Sequence, residues 1–167
     1  LTNYTANIFD IYETNHTVYI VSSYVEGDSL AESKPGSLRD VITIGISTAK
    51  CIERIHKAGY LYLDIKPENV IVNGKGQAKV ADFGLAALMD ATGSGTTGGG
   101  TIGYMPLEQM RQEPLDVRTD EWALASLTYE MLTGSNPFFA DDLDAAEEAI
   151  EEAELVLPSL CWDELDA

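Results

Sequence analysis

The sequence has few cysteines, few basic residues and no long apolar run. Its two cysteines, Cys51 and Cys161, are too few for a disulfide framework or a cysteine metal site, which is typical of a reducing compartment. Polar residues interrupt every apolar run well before the roughly 18 residues that a membrane span needs. No segment reads as a cleavable secretory leader. We therefore expect a cytoplasmic protein with no membrane contact within this segment.

Basic residues are scarce relative to acidic ones. The 10 Lys and Arg stand against 28 Asp and Glu, which gives a net charge of -18. Binding to a polyanion requires a basic face, and the basic residues here are scattered, so the composition excludes nucleic acid and anionic membranes as partners. Acidic residues concentrate between Asp141 and Asp166, with no Lys or Arg among them. This favours a solvated helix face, with an acidic docking surface as the alternative.

The length of 167 residues, 45% of them hydrophobic, allows one sizeable core. The chain opens at Leu1 without an initiator Met, so we expect a piece of a longer protein. Residues 8–13 and 18–25 are rich in Ile, Val and Tyr, and the four residues between them predict a hairpin connection.

A helix is predicted to follow. Ser37 is the expected N-cap, with Asp40 three residues later. Gly59 supplies a left-handed exit. His56 near that exit is interpreted as a helix-end residue rather than a catalytic base. A core-facing stripe with 3.6-residue spacing comprises Val41, Ile44, Thr48, Cys51, Ile52 and Ile55.

The stretch YLYLDIKPENVIVNGKGQAKVADFG, from Tyr60 to Gly84, predicts short strands at 60–62, 70–72 and 78–80. Asn73-Gly74 predicts a tight hairpin between the last two strands. Antiparallel pairing would then bring the residues that flank this hairpin to one end of it.

Four polar residues are expected at that end. Asn69 precedes one hairpin strand, Asp82 follows the other, and the preceding loop carries Asp64 and Lys66. Two carboxylates, a carboxamide oxygen and an ammonium suit a hard cation with a bound phosphate. Taken singly, Asp and Asn beside strands are ordinary turn residues.

Four blocks in order resemble the protein kinase family. They are the loop YLDIKPEN, the turn Asp82-Phe83-Gly84, the segment GTIGYMPLEQ around Glu108, and DVRTDEWALASLTYEMLTGSNPF, which looks like the family's central buried helix. The resemblance covers roughly residues 5–140. Lys66 is typical of the Ser/Thr-specific form of the loop.

The resemblance implies an α+β, protein-kinase-like fold: a mostly helical C-terminal lobe with short β-hairpins and a truncated N-terminal lobe. Residues 1–28 would be the end of the N-terminal lobe and the hinge, and 29–167 the C-terminal lobe. We expect later helices of that lobe to lie outside the chain.

The resemblance also implies residue roles. Asp64 would accept or orient the proton of the substrate hydroxyl, and Lys66 would neutralise the transferred phosphoryl group. Asn69 and Asp82 would hold Mg²⁺ against the phosphates of ATP. Thr101 would bond back to the catalytic loop, and Asp120 would anchor that loop through its backbone amides. The residues implied to bind the nucleotide are Ser23, Val25, Ser29, Lys66, Glu68, Asn69, Ile71 and Asp82.

Several positions depart from the family pattern. No glycine-rich loop, strand lysine or partner glutamate is found in the sequence, and Tyr62 and Leu63 replace the histidine and arginine before the catalytic aspartate. Tyr62 can still stack on Phe83. The resemblance implies an activation segment at residues 82–108, and Leu63 cannot pair with a phosphate on that segment. We therefore predict that phosphorylation of that segment is not a switch acting through this position. We also expect its Gly-rich part, residues 93–100, to be disordered without ligand.

Three functions follow as hypotheses. The first is a serine/threonine protein kinase domain fragment that transfers the γ-phosphate of ATP to a protein hydroxyl when its N-terminal lobe completes it, the isolated fragment being inactive. The second is a pseudokinase or kinase-like regulatory binding module. The third, a small-molecule phosphotransferase, is disfavoured by KPEN and the central-helix block. Expected partners are a protein substrate, the missing N-terminal lobe, and a second copy through the exposed lobe face near residues 8–13.

Overall fold

The computed structural model of the protein describes residues 8–14, 17–90, 93–95 and 99–155. Strand β1 (Ile8–Thr14) pairs antiparallel with β2 (Thr17–Ser22) in a two-stranded sheet. The second strand ends at Ser22, which pairs with Ile8, rather than at the predicted residue 25. Residues 23–26 have no regular secondary structure.

The predicted first helix is confirmed. Helix α1 (Leu38–Lys57) begins at its N-cap Ser37, whose hydroxyl accepts a hydrogen bond from the backbone N–H of Asp40. All six residues of the predicted stripe are buried. The chain leaves the helix through Ala58 and Gly59, whose φ of 87° is accessible to glycine at little cost. The cap and the periodic stripe, both local signals in the sequence, therefore account for this helix.

A three-stranded antiparallel sheet lies against α1. It contains β3 (Asp28–Ser29), β5 (Val70–Val72) and β6 (Ala78–Val80), in the order β3-β5-β6. In the turn between β5 and β6, Oδ1 of Asn73 accepts hydrogen bonds from two backbone N–H groups. The predicted hairpin is therefore confirmed.

Strand β4 (Tyr60–Leu61) does not join that sheet. It pairs with β7 (Ala87–Leu88) in a separate two-stranded sheet. It is one residue shorter than predicted because the N–H of Tyr62 binds the Asp120 carboxylate instead of a strand. The pairing joins the start of the loop that carries Asp64 to the segment that follows Gly84.

The remaining helices are α2 (Leu107–Met110), α3 (Val117–Thr133) and α4 (Leu143–Glu152). Within the described ranges, none of the helices has the length and apolar character to span a bilayer. The main core packs α1 and α3 around β5 and β6. Among the larger apolar residues of α3, Leu127 is buried, whereas Trp122, Leu124 and Met131 are partly buried. The fully buried face also carries small and polar residues, which allow close packing and loop anchoring: Thr119, Asp120, Ala123 and Ser126.

The acidic helix α4 is docked rather than free in solvent. Ala146 is fully buried against a cluster that includes Met105 and Met110. The Arg111 guanidinium binds Glu147 at 2.7 Å and Glu151 at 3.2 Å. The helix ends at Glu152. The arginine offsets part of the repulsion among the carboxylates.

Candidate active site

The site is built on the loop between β4 and the 3-10 turn Pro67–Asn69. Leu63 in this loop has φ of 66°, a left-handed conformation that is unfavourable for a leucine. The fully buried Asp120 carboxylate holds it, accepting hydrogen bonds from the N–H of Tyr62 at 2.8 Å and of Leu63 at 2.7 Å. The anchoring predicted for Asp120 is therefore confirmed.

A histidine completes this anchor. Nε2 of His56, in the last turn of α1, lies 2.7 Å from Oδ2 of Asp120. The two residues are 64 positions apart in the chain. His56 is a helix-end residue, as predicted, but its partner was not anticipated because no local spacing connects them.

Three polar side chains meet at the Asp64 carboxylate, which is only 9% exposed. Nδ2 of Asn69 donates to Oδ2 at 2.7 Å, and Nζ of Lys66 lies 3.2 Å from the same oxygen. The Thr101 hydroxyl donates to Oδ1 at 3.1 Å and accepts from Nζ of Lys66 at 3.1 Å. The loop contact predicted for Thr101 is confirmed. The carboxylate is thus held in one orientation from both sides.

Asp82 lies beside this group because of the hairpin. The register pairs Val70 with Val80, and the N–H of Ala81 donates to the carbonyl of Asn69 at 2.9 Å. Asp82 itself has φ of 56°, is exposed, and accepts a hydrogen bond from the N–H of Gly84 at 2.9 Å. The sequence argument that the residues flanking the hairpin meet at one end is confirmed.

Tyr62 joins the loop to the turn that carries Asp82. Its ring packs edge-to-face on Phe83 with centroids 5.4 Å apart, and its hydroxyl donates to the carbonyl of Ala81. Burial, assisted by the nearby carboxylates of Asp64 and Asp82, raises the pKa of Tyr62. The phenol therefore stays a hydrogen-bond donor throughout the physiological range. The predicted stacking on Phe83 is confirmed.

The residues implied to bind a nucleotide lie in several elements. Ser23 and Val25 lie in the segment after β2, and Ser29 in β3 pairs directly with Ile71 in β5. The Ser29 hydroxyl is buried and donates to Glu32 at 2.9 Å. Glu68 is exposed on the 3-10 turn and lines a cleft of about 620 Å³, together with Tyr104, Glu130 and other residues. The structure thus brings Ser29 and Ile71 together, and places Glu68 at a separate cleft beside the loop.

The position before Asp64 is apolar in its surroundings as well as in its side chain. Leu63 is buried with Leu61 and Leu115, and partly buried residues including Leu85 and Met89 pack against them. Further along, Glu108 accepts a hydrogen bond from the Thr119 hydroxyl at 3.2 Å. The environment of Leu63 agrees with the expectation that no phosphate binds at this position.

Gln109 is a buried residue that sequence reasoning missed. Its Nε2 donates to the carbonyl of Gly99 at 2.7 Å and to the carbonyl of Leu63 at 3.3 Å. The only sequence signal is a glutamine inside the block around Glu108, and a glutamine by itself predicts a surface position.

The oxygens near Asp64 suit a hard cation. Both hydrogen bonds from the Asn69 side chain use Nδ2, which leaves Oδ1 as the atom that can ligate, and Asp82 contributes a carboxylate. Among the described residues, no three His, Cys, Asp or Glu side chains form a metal cluster. Magnesium bound with phosphates needs only one or two carboxylates, so this donor set fits it.

The helices and small antiparallel sheets around the anchored loop are consistent with the fold class that the sequence motifs imply. The family model described as protein kinase domain matches residues 3–164. The chain therefore belongs to the protein kinase family. This match extends beyond residues 5–140, over which the motifs carry the resemblance.

Curated relatives agree with this assignment. The chain is 38% identical over 141 residues to a probable serine/threonine-protein kinase of Clostridium perfringens, covering 81% of this chain and 21% of the relative. It is 34% identical over 131 residues to the serine/threonine-protein kinase PknB of Mycolicibacterium smegmatis, covering 74% and 21%. Protein kinase 2 of Dictyostelium discoideum is 28% identical over 158 residues, covering 92% and 33%. The chain spans about a fifth of the length of the first of these relatives.

Proposed function

We propose that the chain is part of a serine/threonine protein kinase domain that transfers the γ-phosphate of ATP to a hydroxyl group of a protein. The observation that carries this proposal is the Asp64 carboxylate, held by Asn69, Lys66 and Thr101. Catalysis of phosphoryl transfer depends mainly on positioning and on charge stabilisation. A carboxylate fixed from two sides beside an ammonium group supplies both.

Each residue has a distinct proposed task. Asp64 orients the substrate hydroxyl and accepts its proton, and Lys66, 3.2 Å from the same carboxylate, neutralises charge on the transferred phosphoryl group. Asn69 and Asp82 hold Mg²⁺, which supplies charge neutralisation at the phosphates of ATP when bound. Thr101 fixes the positions of the Asp64 and Lys66 side chains relative to each other, because its hydroxyl hydrogen-bonds to both.

The nucleotide is proposed to lie along Ser23, Val25, Ser29 and Ile71, with Lys66, Asn69 and Asp82 toward its phosphates and the exposed Glu68 beside it on the 3-10 turn. The pairing of Ser29 with Ile71 supports a continuous surface between the segment after β2 and strand β5. We propose residues 1–28 as the end of the N-terminal lobe and the hinge, and 29–167 as the C-terminal lobe. The separate β1-β2 sheet supports this division.

A regulatory binding module without catalysis is the alternative. Tyr62, Leu63 and Pro106 suggest it. The first two are accommodated: Tyr62 packs on Phe83, and the Leu63 backbone is anchored by Asp120. The relatives named above are themselves named as kinases. Retention of Asp64, Lys66, Asn69 and Asp82 favours the enzyme, because a binding module has no chemical need for all four.

The proposed setting is the cytoplasm, with a protein as substrate, no nucleic acid partner and no membrane contact within this segment. Self-association is proposed through the lobe face near β1, where Phe9 is 68% exposed, Val21 is 42% exposed and Tyr24 is 87% exposed. Size-exclusion chromatography with light scattering tests this, and a monomer at all concentrations refutes it.

The test of the proposed function is transfer of labelled phosphate from ATP to a generic basic protein in the presence of Mg²⁺. The complete gene product is compared with its Asp82→Asn variant and with Asp141→Asn, which alters an exposed carboxylate away from the loop. We expect transfer to serine or threonine, lost only in Asp82→Asn. Equal signal from all three proteins would refute the magnesium role, and absence of transfer in the unaltered protein would favour the binding module.

A further inference from the structure

The Gln109 side chain joins two segments that both reach Asp64. Its Nε2 donates to the carbonyl of Leu63, the residue before Asp64, at 3.3 Å. The same atom donates to the carbonyl of Gly99, two residues before Thr101, at 2.7 Å. Because Thr101 itself donates to Asp64, these contacts close a ring through the loop and the activation segment.

The backbone at residues 99 and 100 is shaped to reach this amide. A side chain at Gly100 would place its first carbon 2.7 Å from Nε2 of Gln109 and 2.4 Å from Sδ of Met105. A side chain at Gly99 would come within 2.7 Å of Leu85. The φ of Gly100 is 151°, which also favours glycine. The close approach to Gln109 therefore depends on the missing side chain at Gly100, and the approach to Leu85 on that at Gly99.

Gln109 is itself rigidly placed. It is 5% exposed in helix α2, beside Glu108, which Thr119 contacts at the start of α3. A buried amide that donates to two carbonyls cannot be removed without leaving those carbonyls unpaired. The carbonyl of Leu63 is thus bound by Gln109, while the Leu63 side chain is held by apolar packing.

We propose that Gln109 is a positioning residue for phosphoryl transfer: by binding the carbonyls of Leu63 and Gly99, it sets the Thr101 hydroxyl against the Asp64 carboxylate. In this chain an uncharged amide and a leucine together tie the activation segment to the loop. The inference rests on the proposed function for its effect on rate, but not for its effect on structure.

The kinetic test is a double-mutant cycle in the complete gene product. Gln109→Met keeps the approximate volume but removes the donor, and Thr101→Val removes the hydroxyl. Gln112→Met is the control because Gln112 is exposed in the turn that follows the same helix. We expect Gln109→Met to lower kcat by about tenfold to a hundredfold, with the KM for ATP unchanged. The control should match the unaltered protein.

The coupling between the effects of Gln109→Met and Thr101→Val on kcat shows whether Gln109 positions Thr101 or only stabilises the fold. If Gln109 acts through Thr101, the double variant is no slower than Thr101→Val alone. Losses that multiply, or an unchanged kcat in Gln109→Met, overturn the proposal.

A second readout does not depend on activity. The N–H of Tyr104 donates to the carbonyl of Thr101 at 3.0 Å, so its hydrogen exchange reports on this segment. Exchange should be about tenfold faster in Gln109→Met and unchanged in Gln112→Met. If the unaltered protein transfers no phosphate, the proposed function fails, while unchanged exchange in Gln109→Met would overturn the link itself.

Discussion

The N–H of Leu63 donates to Oδ1 of Asp120 at 2.7 Å, although the two residues are 57 positions apart in the chain. This bond holds a leucine in the left-handed region directly before Asp64. The orientation of the proposed catalytic carboxylate therefore depends on a residue in the middle of the fold, not on the loop alone.

Replacing this anchor should destabilise the protein. Asp120→Ala leaves two backbone N–H groups without their acceptor and His56 without its partner. We expect the free energy of unfolding to fall by about 3 to 5 kcal/mol, measured by urea denaturation. Glu121→Ala, at the adjacent exposed position, is the control and should change it by less than about 0.5 kcal/mol. Similar values for the two variants would show that Asp120 is not an anchor.

An arginine at position 63 should not be tolerated. Leu63 is 4% exposed among leucines, so Leu63→Arg buries a charge with no anionic partner in the cluster. The expected loss of unfolding free energy is at least about 2 kcal/mol. Leu63→Met, which preserves apolar volume, should cost less than about 1.5 kcal/mol. An arginine variant as stable as the unaltered protein would mean that the cluster is open to solvent.

Phosphorylation of the activation segment should not switch activity on. The Ser94 hydroxyl donates to the carbonyl of Leu115 at 3.1 Å, next to the apolar cluster around Leu63. With no arginine before Asp64, we expect Ser94→Asp to change kcat by less than about fivefold, the effect of a weakly paired charge. Thr92, Thr96 and Thr97 carry the same prediction and lie outside the described residues, as does Gly98 of the Gly-rich run. A large gain in kcat from any of these phosphomimetic changes would contradict this account.

The buried phenol of Tyr62 should make the free energy of unfolding depend on pH in the alkaline range. Because burial raises the pKa of Tyr62 in the folded state, the unfolded chain ionises first, near its ordinary pKa of about 10. The contribution of the protonated Tyr62 phenol to the free energy of unfolding is fully present below that pH. It declines as the pH rises above it, by up to about 1.4 kcal/mol per pH unit. Urea unfolding at two alkaline pH values should show a smaller decline for Tyr62→Phe than for the unaltered protein. Tyr60→Phe, an exposed change on β4, controls for loss of a hydroxyl; identical declines in all three proteins would contradict the prediction.

Local signals specified much of the architecture. The Ser37 cap and the periodic stripe predicted α1, and the turn residues from Asn73 to Gly76 predicted the β5-β6 hairpin. The convergence of Asn69 and Asp82 followed from that hairpin alone. The contacts of Thr101 and Asp120 were expected only through resemblance to the protein kinase family, because their partners lie far away in the chain.

Long-range contacts account for what was missed. The pairing of β4 with β7, the contact of His56 with Asp120 and the bridging by Gln109 all join distant segments. None has a periodic or turn signature, since each depends on how the elements pack. The docking of α4 through Arg111 was unpredictable for the same reason, although the acidic helix itself was evident.

The most direct test of the central claim is the rate of phosphate transfer in Asp64→Asn, measured on the complete gene product with ATP and Mg²⁺ at saturation. The amide preserves the shape of the side chain but cannot accept the proton of the substrate hydroxyl. The account predicts a loss in kcat of about a hundredfold or more, with ATP affinity retained and Asp141→Asn unaffected. Equal rates for Asp64→Asn and the unaltered protein would contradict it.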